Sequence, residues 1–292
     1  MWQGYLRNWL MGQARERLRT AAAEAAHAQA QQANPQSAAQ QGPPEAKRDV
    51  CHVGLVFAMS IEAGGLIDRL KGVIATHGAG FVAREGGLDG KRVVVVESGV
   101  GREHAARAAE CLILGHQPRW VISAGFAGAL DARLARGDIV LVDQIVDVAG
   151  RQFGIDFKLS PDAVADSRRL HVGRLLTVDH VIDDPREKQV LGGRHAALAV
   201  DMESIAVAEV CRNERTRFLA VRVISDTVDQ ALPRDIEFLV RRRTRAGRLG
   251  AAAGAMLRRP SSIKDMWQLK EDALVASERL AAFLTGVIGQ LP

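Results

Sequence analysis

Two apolar spacings alternate along this chain. Short β-branched runs at His52–Ala58 (HVGLVFA), Lys91–Glu97 (KRVVVVE), Pro118–Ile122 (PRWVI), Gly137–Val142 (GDIVLV), Arg174–Asp179 (RLLTVD) and Phe218–Ile224 (FLAVRVI) read as strands. Their apolar residues follow one another without polar alternation, as in strands covered on both faces. Between the runs, apolar residues recur at helical spacing: from Met59 through Leu66 and Leu70, across His104–Leu114, and at Ile205, Val207, Ala208 and Val210. Phe81–Glu85 reads as a further strand, joined to Lys91–Glu97 through turns at Gly86–Gly87 and Asp89–Gly90. The strand at Pro118–Ile122 ends in the Gly-rich stretch Ser123–Ala129, and Asp184–Pro185 starts another turn or helix. Met266, Leu269, Ala273, Leu274 and Leu280 space a long docking helix over residues 263–286. Strands alternating with helices predict an α/β fold, a three-layer αβα arrangement with a central mixed sheet.

The first 48 residues have a different character. Trp2, Tyr5, Leu6, Trp9 and Leu10 recur at helical spacing beside Arg7, Arg15, Arg17 and Arg19. Such an aromatic, basic helix can lie on a membrane surface; the preferred reading is a helix docked on this protein or on a partner, or an upstream extension with no strong fold. Ala21–Glu45 is rich in Ala and Gln and runs into Pro35, Pro43 and Pro44, a linker composition. The expected organisation is an N-terminal helix and linker over 1–48, a folded domain over 49–260, and a C-terminal helix docked on it over 261–292.

Composition narrows the function classes. With 292 residues, 47% hydrophobic and 25% charged, the chain has the balance of a soluble globular protein, and only 4% aromatic residues means an aliphatic core. The net charge of +5 is concentrated late, in Arg241, Arg242, Arg243, Arg245, Arg248, Arg258 and Arg259. No aromatic residues interleave there, so a solvated helix face is preferred and no nucleic acid partner is expected. Cys51, Cys111 and Cys211 are far apart, without a CxxC pair, which argues against a disulfide framework and against a zinc site. No metal and no cofactor are expected. No apolar run reaches the length of a membrane span and no secretory leader precedes the domain, so a cytoplasmic protein is expected.

Candidate chemistry clusters where predicted strands end. Asp201–Ser204 (DMES) opens the helix of Ile205–Val210, and Ser225–Asp226 follows the Phe218–Ile224 strand. A carboxylate at the C-terminal end of a buried strand is a candidate acid or base. The competing roles are plainer: Asp226 as a turn cap, Glu203 as a solvated carboxylate in a first helical turn. Glu62 lies in the turn between the first strand and its helix, where it is either a functional carboxylate or a helix-dipole partner. Ser98–Arg102 (SGVGR) places two glycines before a helix, an arrangement able to cradle an anion. Gly125 and Gly128 allow backbone to approach a ligand closely, or simply form a tight turn.

These pieces, in this order, resemble the nucleoside phosphorylase and nucleosidase superfamily, and most closely the methylthioadenosine/S-adenosylhomocysteine nucleosidases. The resemblance covers roughly Val53–Phe238. It rests on GLVFAMSIEAGGL from Gly54, ESGVGREHAARAA from Glu97, VISAGFAGALDARLARGDIVLVD from Val121, LLTVDHVI from Leu175, AVDMES from Ala199 and VRVISD ending at Asp226. It implies a phosphorylase/hydrolase-like fold and cleavage of the N-glycosidic bond of an adenosine-type, 5′-substituted purine nucleoside, to free base and ribose product. By this resemblance Asp226 addresses N7 of the departing purine, Ser225 orients Asp226, Glu203 holds the ribose hydroxyls, Met202 packs on the sugar, and Glu62 activates the attacking water. Phe126, Ala127 and Gly128, with Val181 and Ile182, are implied as further substrate contacts. A homodimer is the implied assembly.

Two alternatives stand beside this reading. A phosphorylase would use phosphate in place of water, and Arg102 is the cation that keeps this open. The Ser123–Gly128 stretch carries no Arg, and a carboxylate at Glu62 would repel a phosphate dianion. A nucleoside-binding sensor on the same scaffold would need no paired acid and base. The sequence departs from the family pattern at Val181, where nucleosidases stack an aromatic ring on adenine; Phe126 is a candidate substitute. Arg222, within its strand, either pairs with an acidic neighbour or is a strand-edge cation, and His180 reads as a structural histidine.

Overall fold

A computed structural model of the chain describes residues 51–78, 81–155, 157, 169–232 and 262–292, with side chains of the last segment described from residue 271. The N-terminal segment and the Arg-rich stretch 241–259 lie outside what is described, as do the side chains of Met266 and Leu269, and the expectations placed on them with them.

The core element is β1 (Val53–Phe57), buried at every position. It lies between two parallel neighbours, β4 (Lys91–Glu97) and β5 (Trp120–Ala129). Beyond β4 the sheet continues antiparallel through β3 (Phe81–Leu88) to its edge at β2 (Lys71–Gly78). On the other side it closes on itself. β5 pairs with β10 (Arg217–Asp226), β10 with β6 (Ile139–Asp147), β6 with β8 (Leu170–Thr177), β8 with β9 (Ala199–Asp201), and β9 returns to β5. The short β7 (Gln152–Gly154) hangs on β6. The expected mixed sheet is therefore present, and part of it is a closed five-strand ring.

Ring closure depends on the length of β5 and β10. Residues 120–123 of β5 pair with β1, and only at Gly128 and Ala129 does the same edge meet β9. Between them that edge of β5 has no strand partner among the described residues. The backbone N–H of Phe126 falls in this gap and is taken by a side chain, that of Glu62.

Helices cover both faces, as the uninterrupted apolar runs require. Val53, Leu55, Phe57, Val93, Val95, Leu219 and Val221 face one side. There they meet α1 (Ser60–Ile67) and the C-terminal α5 (Ser262–Gln290) through Leu66, Leu280 and Leu284. Alternate residues Val56, Val94, Val96, Val121 and Ala220 face α2 (Arg102–His116) and α4 (Ser204–Asn213) through Ala108, Leu112, Ile205 and Ala208. The remaining helix, α3 (Pro185–His195), begins at Asp184, whose carboxylate accepts the Arg186 N–H in a regular N-cap with Pro at the first position. No described helix is long and apolar enough to cross a membrane. The described cysteines are all free.

Four local expectations need correction. Gly86 and Gly87 are inside β3, so the hairpin turns only at Asp89–Gly90. β2 was not expected; it is exposed along its whole length and sits at the sheet edge, where no burial pattern marks it. The stretch Ser123–Ala129 continues β5 as a strand. On α5, Leu274 is half-exposed, and the docking face is carried by Ala276, Leu280, Ala281, Leu284, Val287 and Ile288.

Candidate active site

The C-terminal ends of β1, β5, β9 and β10 and the loop after β8 meet around a cavity of 290 Å³. All ten residues proposed from the sequence reach it. Glu62 comes from the first turn of α1, and Ser225 and Asp226 from the end of β10. Phe126, Ala127 and Gly128 come from β5, Met202 and Glu203 from the β9–α4 junction, and Val181 and Ile182 from the loop after β8.

Glu62 is buried, and both of its oxygens are committed. Oε2 accepts the Met59 N–H at 2.7 Å and Oε1 accepts the Phe126 N–H at 2.8 Å. Its helix-terminus role and its place in the cavity are thus the same geometry, since one oxygen caps α1 while the other reaches across to β5. Burial pushes its carboxyl above the ordinary range, and the Phe126 N–H, the Arg222 charge and the Met59 N–H oppose that. The carboxylate fits only because Gly125 lacks a side chain: a Cβ there would lie 2.7 Å from Glu62 Oε1.

Arg222 lies beneath the cavity, not at a strand edge. It is 2% exposed and donates to Asp201 Oδ2 at 2.7 Å and to the hydroxyls of Ser123 and Ser204, each at 2.8 Å. Asp201 also accepts from Thr177 Oγ1 at 2.7 Å and from the Ser204 N–H at 2.9 Å. A smaller polar cavity of 10 Å³ lies against Glu62, Ser98, Ser123, Glu203 and Arg222. That volume and those partners suit a single water molecule.

Glu203 closes the other side. Its Oε1 accepts the Gly101 N–H at 2.8 Å and its Oε2 the Met202 N–H at 3.2 Å. The Gly-rich entry to α2 therefore does cradle a carboxyl group, the chain's own. Burial first, then the Asp201 charge, push the Glu203 carboxyl up to about 8, against the pull of Arg222. Asp226 is 6% exposed, and the Ser225 hydroxyl donates to its Oδ1 at 2.6 Å. Its Oδ2 forms an ion pair with Lys188 Nζ at 2.5 Å.

Lys188 is the site residue that reading the sequence missed. It sits in PREKQVLGGRH, a polar helix in which a lysine looks solvated, and nothing local marks its burial. Leu232, together with Asp272, Ala273 and Ala276 of α5, was also missed as cavity wall. His180 is on the rim, exposed, with Nε2 3.7 Å from Glu187. Arg102 is held by Asp179 at 2.7 Å, by the Thr177 carbonyl at 2.9 Å and by Asp147 at 3.5 Å. Among the described residues, no cluster of His, Cys, Asp and Glu is arranged to hold a metal ion.

A partly closed α/β sheet with paired carboxylates at its C-terminal edge places the molecule among enzymes that bind a small ligand at strand ends. The chain matches the sequence profile of the phosphorylase superfamily over residues 52–257 and belongs to that family. The 5′-methylthioadenosine/S-adenosylhomocysteine nucleosidase of Marinomonas sp. (strain MWYL1) is 31% identical over 207 residues, which span 63% of this chain and 90% of that one. The enzyme of the same name from Shewanella loihica (strain ATCC BAA-1088 / PV-4) is 32% identical over 207 residues, with the same coverage. In fold, the chain is similar to the Helicobacter pylori 5′-methylthioadenosine/S-adenosylhomocysteine nucleosidase crystallised with butyl-thio-DADMe-Immucillin-A. The TM-score is 0.64 at 19% identity, covering 83% of this chain and 99% of that one.

Proposed function

We propose that this chain is a nucleosidase that hydrolyses the N-glycosidic bond of an adenosine-type, 5′-substituted nucleoside, releasing the free base and the ribose product. Breaking that bond builds positive charge at C1′ and negative charge on the purine. Asp226 takes the purine side, with Ser225 fixing one of its oxygens. Glu62 takes the water side and accepts its proton, beside the water-sized cavity bounded by Arg222 and Ser123. Glu203 receives the ribose hydroxyls and Met202 packs on the sugar. Phe126, partly buried against the core, supplies an aromatic wall where Val181 and Ile182 supply aliphatic ones. Water and purine occupy opposite faces of C1′, as in an inverting glycosidase.

The observation that carries hydrolysis over phosphorolysis is the state of the two nearby arginines. Arg222 is bound to Asp201 and Arg102 to Asp179 and Asp147, so both charges are compensated within the chain. The cations that would receive a phosphate dianion are thus already taken, while the cavity against Glu62 is the size of a single water molecule.

Turnover of purine nucleosides in phosphate-free buffer and again with phosphate is the test. The parent should release base and free ribose product in both buffers. Glu62→Gln should lower kcat by about 10²–10⁴ while KM changes little, because the lost group acts on the water in the transition state. Ribose 1-phosphate formed only with phosphate, and still formed by Glu62→Gln, would overturn the assignment. A homodimer is the assembly proposed with this function, and a monomer mass by light scattering would refute it.

A further inference from the structure

Lys188 has no surface in contact with solvent, although it lies on a helix that is otherwise polar. A buried ammonium is costly unless every N–H is satisfied and a counter-charge is close. Both conditions are met. Nζ donates to Asp226 Oδ2 at 2.5 Å, to the Gln230 carbonyl at 2.8 Å and to the Thr227 carbonyl at 3.1 Å. Two of its three protons are thus fixed on backbone oxygens, and the third points at Asp226. The other Asp226 oxygen accepts from Ser225.

This arrangement changes what Asp226 can do, given the nucleosidase reading on which the argument rests. A carboxylate held in an ion pair carries no proton of its own for a departing purine. We infer that Lys188 supplies it: Lys188 and Asp226 together form a two-residue acid, in which Asp226 touches the purine and Lys188 acts through it. As the C1′–N9 bond breaks, its electron pair passes to the purine. The Nζ proton of Lys188 moves onto Asp226 Oδ2, and the carboxylic acid so formed passes a proton on to N7. The pair has then lost one proton and the purine has gained it, leaving Lys188 as a neutral amine still donating to Thr227 and Gln230. Water adds to C1′ and its proton goes to Glu62. Solvent reprotonates the amine once the neutral base has left. Lys188 is thus a positioning residue for the leaving-group side, held by contacts that serve either protonation state.

The test compares Lys188→Met, Asp226→Asn and the double variant on two substrates, a purine nucleoside and p-nitrophenyl riboside, whose phenolate departs without a proton. On the nucleoside, Lys188→Met should lower kcat about 10²-fold with KM nearly unchanged, the range expected for a lost general acid. Its loss on p-nitrophenyl riboside should be at least about tenfold smaller, since that leaving group needs no acid. Because Lys188 acts through Asp226, adding Lys188→Met to Asp226→Asn should cost less than about threefold more. Equal losses on both substrates, or losses that multiply in the double variant, would overturn the inference and make Lys188 a brace for the loop after β10. If Lys188→Met alone fails to fold, the double variant has no unpaired charge, and its comparison with Asp226→Asn decides alone. A parent that releases no base from any purine nucleoside sinks the nucleosidase reading and this inference with it. An active parent with either adverse variant result sinks the inference only.

Discussion

Single atoms decide the site's geometry. Gly125 leaves room for the Glu62 carboxylate and for Arg222; a Cβ there would stand 2.7 Å from Glu62 Oε1 and 3.1 Å from Arg222 Nη1. Gly128 does the same for Asp226, whose Oδ2 would lie 3.0 Å from an added Cβ. Glu62 has little freedom to yield, because both oxygens are fixed by backbone N–H groups. Gly125→Ala is expected to destabilise the fold by about 1–3 kcal/mol, as overpacking does. It should also lower kcat at least about tenfold by moving a positioned base. Urea titration and steady-state kinetics check the two effects separately, and an alanine variant with parental kcat would show that Glu62 tolerates displacement.

Among the elements, α5 joins stability to the site. Leu280, Leu284 and Ile288 are fully buried against the face formed by β1, β4 and β10. One to two turns earlier, Ala273 and Ala276 line the cavity, and Asp272 forms an ion pair with Arg136. Lys91 Nζ donates to the Ile288 and Gly289 carbonyls, satisfying groups that the helix end leaves open. The helix is therefore part of the domain's core and of the pocket wall together. Leu284→Ala should cost about 2–5 kcal/mol, the range for deleting a buried leucine side chain. A shift below about 1 kcal/mol in a denaturant titration would mean that α5 is dispensable to the core.

For the molecule as a whole, the carboxyl cluster couples folding to pH. Burial raises Glu62, and burial with Asp201 raises Glu203 to about 8, from ordinary values near 4.5. Between pH 4.5 and about 8 the unfolded chain has lost the Glu203 proton while the folded chain keeps it, so the folded state binds more protons and stability falls as pH rises. The loss should extend through about pH 8, where Glu203 ionises in the folded protein. Urea midpoints measured from pH 5 to pH 9 should decline, and Glu203→Gln should flatten the decline. A slope unchanged in that variant would place the titration elsewhere.

Much of this was present in local patterns. Unbroken apolar runs identify β1, β4 and β10 as strands covered on both faces, because a residue's neighbours two positions away already report which face is buried. The carboxylates at Glu62 and Asp226 are legible for the same reason: each stands where such a run stops, and the C-terminal ends of parallel strands converge on one edge. What local patterns do not contain is which distant groups meet. The exposed β2 carries no burial signal. The return of β9 to β5 closes a ring between residues some seventy positions apart, and the gap it leaves is what frees the Phe126 N–H for Glu62. Arg222 offered two readings, a pair with an acidic neighbour or a strand-edge cation, and only the fold brings Asp201 to it as a buried pair. Lys188 is not marked by the sequence because its helix is polar around it, and only packing against the end of β10 removes it from water. Periodicity records the two faces of a single element, whereas burial of a charge depends on the element that lands on it, and that is settled by the tertiary fold.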